Sequence, residues 1–121
     1  MPHLVILYTG NLESKVDFDP LCRDLADAML AQRDEQNQVV FPLGGTRVYA
    51  YPAPHFAVAD GKPPAGQSMG FIYLNLRMAP GRSAEVKKTV GEALMSVLHR
   101  HLDAAIARDL IGVTLQIDEN P

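Results

Sequence analysis

The chain has a single cysteine, Cys22, so it can form neither an internal disulfide nor a paired-thiol metal site. Cys22 reads as a small core residue. Long apolar runs are also missing. The opening stretch, residues 4–8, is too short for a signal peptide and has no basic leader, and no later segment could span a bilayer. The expectation is a soluble cytoplasmic protein without membrane contact. Basic clusters are scarce: the net charge is −3 and no Lys/Arg run exceeds Lys87-Lys88. Nucleic acid is therefore not an expected partner, because phosphate binding needs a basic face. An anionic ligand has to be held by a few local cations. A Walker loop, zinc-ligand spacing and a GxSxG elbow are absent too. The four histidines, His3, His55, His99 and His101, make no ligand set, since the last two are two apart on a helix and point to different faces.

What the chain does have is enough apolar material, 47% of 121 residues, to build one core without metals or disulfides. The expectation is one domain, residues 1–121. Residues 4–9 are a continuous apolar run closed by Gly10-Asn11, as in a buried strand followed by a turn. Asp19-Pro20 puts a capping side chain before a proline, and Leu21, Leu25 and Met29 recur at helical spacing, which predicts a helix ending near Arg33. Residues 46–51 read as a strand broken by Pro52 and Pro54. Residues 62–68, with Pro63, Pro64 and Gly66, read as a linker.

The pattern then starts again. Ile72, Leu74, Leu76 and Met78 alternate with Phe71, Tyr73, Asn75 and Arg77, predicting a half-buried strand. Ser83 caps a long helix whose apolar stripe is Val86, Val90, Leu94, Val97-Leu98, Leu102 and Ile106. Ile111, Val113, Leu115 and Ile117 alternate through a final strand. The fold class expected is α/β (α+β): tandem β-α-β units, with pseudo-repeat halves at about 1–61 and 68–121, four main strands in one sheet, and two helices on one face. Two helices leave the other sheet face uncovered, so burial against further copies of the chain is expected.

The chemical candidates are three. Pro2 follows an initiator Met that a small second residue allows to be removed, leaving a secondary amine. Pro2-His3-Leu4-Val5-Ile6 starts a buried strand, which holds that amine in place. A free α-amino group titrates at about 8. Apolar surroundings and nearby arginines disfavour its ammonium form, making it a competent general base. Arg47 follows a Gly-Gly turn and Arg82 precedes a helix start, positions from which a guanidinium can reach a carboxylate in a cleft. Arg77 and Arg23 read as solvated, and Tyr8, Tyr49, Tyr51, Phe56 and Tyr73 as packing residues.

The opening Met-Pro-His-Leu-Val, the segment Phe41-Pro42-Leu43-Gly44-Gly45-Thr46-Arg47, the pair Asp60-Gly61 and the segment Gly81-Arg82-Ser83 with its helix resemble the 5-carboxymethyl-2-hydroxymuconate delta-isomerase family. That family lies within the 4-oxalocrotonate tautomerase superfamily. The match spans the chain, and the Phe-Pro-Leu-Gly-Gly-x-Arg segment is its most discriminating part. The resemblance implies a homotrimer of fused β-α-β units, with Pro2 as catalytic base and Arg47 and Arg82 as catalytic, substrate-binding arginines. It implies a 1,3-proton shift in a small anionic unsaturated keto or enol acid, without metal or organic cofactor. The implied substrate is 5-carboxymethyl-2-hydroxymuconate, an intermediate of homoprotocatechuate breakdown. Alternatives are another superfamily activity, such as a phenylpyruvate-type tautomerase or a dehalogenase, and a non-catalytic trimeric binding module. The 62–68 linker and the polar 34–38 stretch depart from the family pattern and bear on the mouth of the pocket.

Overall fold

The computed structural model describes residues 1–120. Strand β1 (His3–Thr9) leads through a 3-10 turn, Gly10–Ser14, into helix α1 (Phe18–Leu30) and the parallel strand β2 (Arg47–Ala53). Strand β3 (Met69–Met78), helix α2 (Ala84–Arg108) and strand β4 (Leu110–Glu119) repeat that order, with β3 and β4 parallel. The two units join through an antiparallel β1–β3 pair, giving one sheet in the order β2-β1-β3-β4.

Alternation decides the packing. Leu4, Ile6, Ile72, Leu74 and Leu76 are fully buried, as are Leu21, Leu25 and Met29 of α1 and Leu94 of α2. Burying a side chain of this size contributes about 1.5–3 kcal/mol before entropy is charged against it. The opposite sheet face is open: Leu7 is 47% exposed, Tyr49 44%, and Tyr51 and Phe71 51% each. Pairing registers put all four on one side, so the expected uncovered face is there, and it is apolar.

Three boundaries differ from the sequence reading. Helix α1 starts at Phe18 with Asp17 as its N-cap, because Phe18 stacks on Tyr8 at 3.7 Å between centroids and draws the first turn onto the core. Pro20 sits within that first turn, where its missing N–H has no intrahelical partner to lose. The helix stops at Leu30 rather than near Arg33. Residues Gln32 to Val40 fold into a tight loop instead, closed by the Val40 amide on the Gln32 carbonyl at 3.2 Å. Strand β2 runs through Pro52 to Ala53, which an edge strand permits because the proline nitrogen can face away from the sheet. Ser83 caps α2 as expected, its Oγ accepting from the Val86 amide at 3.1 Å.

The connection into β3 is tied down by Asp109, the C-cap of α2. Its carboxylate accepts from the Ser68 amide and from Lys15 Nζ, both at 2.9 Å. Those two contacts, the Ser68 amide foremost, hold the Asp109 carboxyl below its usual range. A depressed carboxylate contributes stability that is present above its unfolded value, about 3.9, and lost as pH falls through the lower folded value. The stability gap between the native chain and Asp109→Asn, from urea midpoints at fixed protein concentration, is expected to be level near neutrality and to close below about pH 4. A gap unchanged in acid would assign the effect of the substitution to something other than charge.

Candidate active site

One end of the sheet gathers all three chemical candidates. There β1 and β2 begin and β3 and β4 finish, with His3 in register with both Arg47 and Arg77, and Arg77 with Asp118. Pro2 is buried one residue before β1. By the two-residue period of a strand it belongs to the helix-covered face, with Leu4 and Ile6. Arg47 opens β2 on the uncovered face.

The start of the chain lies against the turn that presents Arg47. Gly45 has φ of 99°, a left-handed conformation that favours glycine, and a Cβ built there would lie 2.7 Å from Met1 Sδ. Arg47 Nη1 donates to the carbonyl of that same Gly45 at 2.7 Å, and its guanidinium carbon is 6.0 Å from the Tyr49 ring centroid. The Gly44-Gly45 turn therefore does two things: it admits the first residue and it orients the arginine.

Arg82 is held differently. Its Nη1 donates to Asp34 Oδ2 at 3.1 Å, and its Nη2 lies 3.5 and 3.3 Å from the carbonyl oxygens of Val39 and Val40. The Asp34 side chain is 13% exposed and that of Arg82 29%. Asp34 also organises its own loop, Oδ1 accepting from the amides of Gln36 and Gln38 at 2.9 Å each. These amides, with the charge of Arg82, keep the Asp34 carboxyl below its ordinary range. Beside it, Ser83 Oγ donates to Glu35 at 2.6 Å, which lowers the Glu35 carboxyl as well. Val40 and Phe41 are buried just beyond, so the segment that touches Arg82 continues, anchored in the core, to the turn before Arg47. Among the described residues, no side-chain hydrogen bond joins Pro2, Arg47 and Arg82 to one another.

Sequence reading alone did not single out Asp34 as a partner of Arg82. The available signal was an Asp followed by Glu35, Gln36, Asn37 and Gln38, a composition in which the Asp side chain caps its own turn. Arg77 is also engaged rather than merely solvated: its Nε donates to Asn75 Oδ1 at 2.8 Å, and Asn75 Nδ2 donates to Asp118 at 2.9 Å. Hydrogen bonds from Gln116 and Asn75, together with the Arg77 charge, lower the Asp118 carboxyl. His101 bridges the helices to Asp24 at 2.8 Å and His99 pairs with Asp103 at 3.0 Å. No three His, Cys, Asp or Glu side chains among the described residues converge on a metal position. Tyr8 donates to Glu13, and burial foremost raises its phenol well above the normal range. Burial likewise raises the half-buried Cys22 thiol. A cavity of about 750 Å³ follows the free edge of β2 past Phe18 and Cys22 and includes none of the three candidates. It is a groove along the unpaired edge of β2, lined also by Tyr8, Glu13, Lys15, Asp17 and Asp19, whereas the three candidates lie at the sheet end.

Similarity to known proteins follows the same outline. The family model for 5-carboxymethyl-2-hydroxymuconate isomerase matches residues 2–121. The chain is 24% identical to the 5-carboxymethyl-2-hydroxymuconate Delta-isomerase of Escherichia coli, over 98% of this chain and 86% of that protein. A crystal structure of a 5-carboxymethyl-2-hydroxymuconate delta-isomerase superposes with a TM-score of 0.91 at 49% identity, covering 99% of this chain and 83% of the other. That of the isomerase from Deinococcus radiodurans R1 gives 0.84 at 36%, with the same coverage. A fused 4-OT described as a symmetric trimer shares the fold alone, at 19% identity and a TM-score of 0.52 over 99% of this chain and 85% of that one. No helix is long and apolar enough to cross a membrane among the described residues. Four strands, two one-sided helices and a match along nearly the entire chain lead to one assignment: the protein belongs to the 5-carboxymethyl-2-hydroxymuconate isomerase family and is an isomerase with the tautomerase fold.

Proposed function

We propose that the chain catalyses a cofactor-independent 1,3-proton shift in 5-carboxymethyl-2-hydroxymuconate or a closely related unsaturated polyacid, with Pro2 as the base once Met1 is removed. The neutral secondary amine takes an allylic proton, and the electron pair spreads into a dienolate. The resulting ammonium returns the proton to the carbon at the other end of the three-carbon unit, so the step balances without a co-reactant. Arg47 and Arg82 hold carboxylate and enolate oxygens and stabilise the charge that develops. The observation that carries this reading is the position of Pro2: it is buried one residue before β1, at the sheet end where Arg47 opens β2 and Arg82 precedes α2.

The working assembly in this reading is a homotrimer. Leu7, Tyr49, Tyr51 and Phe71 form an apolar sheet face that water alone covers in a single chain, and a neighbouring chain both buries it and closes the sheet end into a pocket. Arg47 then serves a Pro2 from the next chain. Sedimentation is expected to give a trimer at micromolar concentration, and mixing Pro2→Ala with Arg47→Ala protein is expected to restore part of the activity. A stable monomer that is fully active would overturn this arrangement.

An amide nitrogen has no basic lone pair, because resonance with the carbonyl withdraws it. A chain carrying an uncleaved extension before Pro2 is therefore expected to be folded, trimeric and nearly inactive, and trimming to Pro2 is expected to restore turnover. The profile of kcat/KM against pH then rises through one limb below about 8, where the ammonium loses its proton. Equal activity with and without the extension would refute Pro2 as the base.

Replacing Arg47 or Arg82 with Ala is expected to lower kcat/KM about 10²–10³-fold, the loss typical for one oxyanion donor, with the circular dichroism spectrum unchanged. Activity within twofold of the parent in both variants would remove the two arginines from the reaction.

A further inference from the structure

The polar loop between α1 and β2 has an occupation beyond linking two elements. Of the five N–H groups of a guanidinium, Arg82 directs one at Asp34 Oδ2 and Nη2 at the Val39 and Val40 carbonyls. Its Nε–H and the second Nη1 hydrogen have no hydrogen-bond partner among the described residues. An arginine on a free stem can adopt many rotamers, and ordering it on binding costs affinity. Here the ordering has already been done by the fold. Asp34 is itself held by three backbone contacts: its Oδ1 accepts from Gln36 and Gln38, and its amide donates to the Gln38 carbonyl at 2.9 Å. The loop reverses at Asn37, with φ of 61°, and is pinned a second time by Glu35 on Ser83.

We infer that Asp34 is the positioning residue for Arg82: it fixes the guanidinium on one side so that the Nε side faces substrate, and it sets that group's distance from Arg47 through the continuous segment Val39 to Arg47. The inference rests on the reading of Arg82 as a substrate contact. Two consequences of Asp34 oppose each other. Its charge offsets part of the attraction Arg82 exerts on an anion, whereas its grip removes the cost of ordering the side chain. The Arg82 side chain keeps 29% of its surface exposed, so solvent screens part of the pair, and the geometric effect outweighs the loss of attraction. Asp34 therefore favours binding.

Asp34→Asn tests this cleanly. The Asn carbonyl oxygen still caps the Gln36 and Gln38 amides, while its NH₂ turns a donor toward the donor of Arg82. The tag-free trimeric protein, assayed with 5-carboxymethyl-2-hydroxymuconate, is expected to show KM raised about 3–10-fold, the equivalent of ordering one long side chain, with a smaller change in kcat. Asp34→Ser, whose hydroxyl also caps a turn but carries no charge, is expected to do the same and serves if the Asn variant does not fold. The deciding measurement is the double mutant: on an Arg82→Ala background, Asp34→Asn is expected to change KM by less than its effect in the parent, close to nothing, because the two act as one unit. A KM that falls or stays level in the single variants overturns the inference, as does an undiminished effect without Arg82. If Arg82→Ala itself leaves activity intact, it is the reading of Arg82 as a substrate contact that fails.

Discussion

The rest of the molecule depends on one-sided burial of the central β1–β3 pair. Leu4 and Ile6 face the helices together with Leu74 and Leu76, all fully excluded from water, and the antiparallel register pairs Leu4 with Leu76 and Ile6 with Leu74. Slipping one of these strands by one residue would turn its own core-facing side chains to the open face. The same parity puts Pro2 on the covered side and Arg47 on the uncovered one. The placement of the first residues of the chain is thus a by-product of core packing.

Charge is handled locally rather than globally. The chain is net negative, yet its sheet end collects Arg47, Arg77 and Arg82, each held by neighbours: Gly45, Asn75 and Asp34 respectively. A carbonyl or amide oxygen orients a guanidinium without cancelling its charge, whereas a carboxylate does both. Arg47 is oriented in the first way, Arg77 by the Asn75 amide with the Asp118 carboxylate also acting on its charge, and Arg82 by direct contact with a carboxylate as well as two carbonyls. The three cations at this end therefore differ in how freely they can meet an anion, which a count of arginines does not reveal.

Much of the architecture was legible in residue patterns. Alternation in Phe71 to Met78 and the four-residue spacing of Leu21, Leu25 and Met29 report burial directly, because strand and helix periods determine which side chains share a face. The helix ends were less legible. Phe18 extends α1 backward through its stacking on Tyr8, a partner on another element that no local pattern contains. Pro52 did not end β2, because whether a proline breaks a strand depends on whether that strand lies at an edge.

By itself, the sequence determined the element order, the apolar faces and the helix cap at Ser83, since each of these follows from local spacing or from side-chain type, and with the family resemblance it supplied Pro2, Arg47 and Arg82 as candidates. Only the tertiary structure decided who their partners are. Asp34 and Arg82 lie 48 residues apart, and Gly45 meets both Met1 and Arg47, because chain reversal through α1 and crossover through α2 bring distant segments to one sheet end. Such contacts depend on three-dimensional closure, which depends in turn on the whole core, and so they are written in no single stretch of the chain.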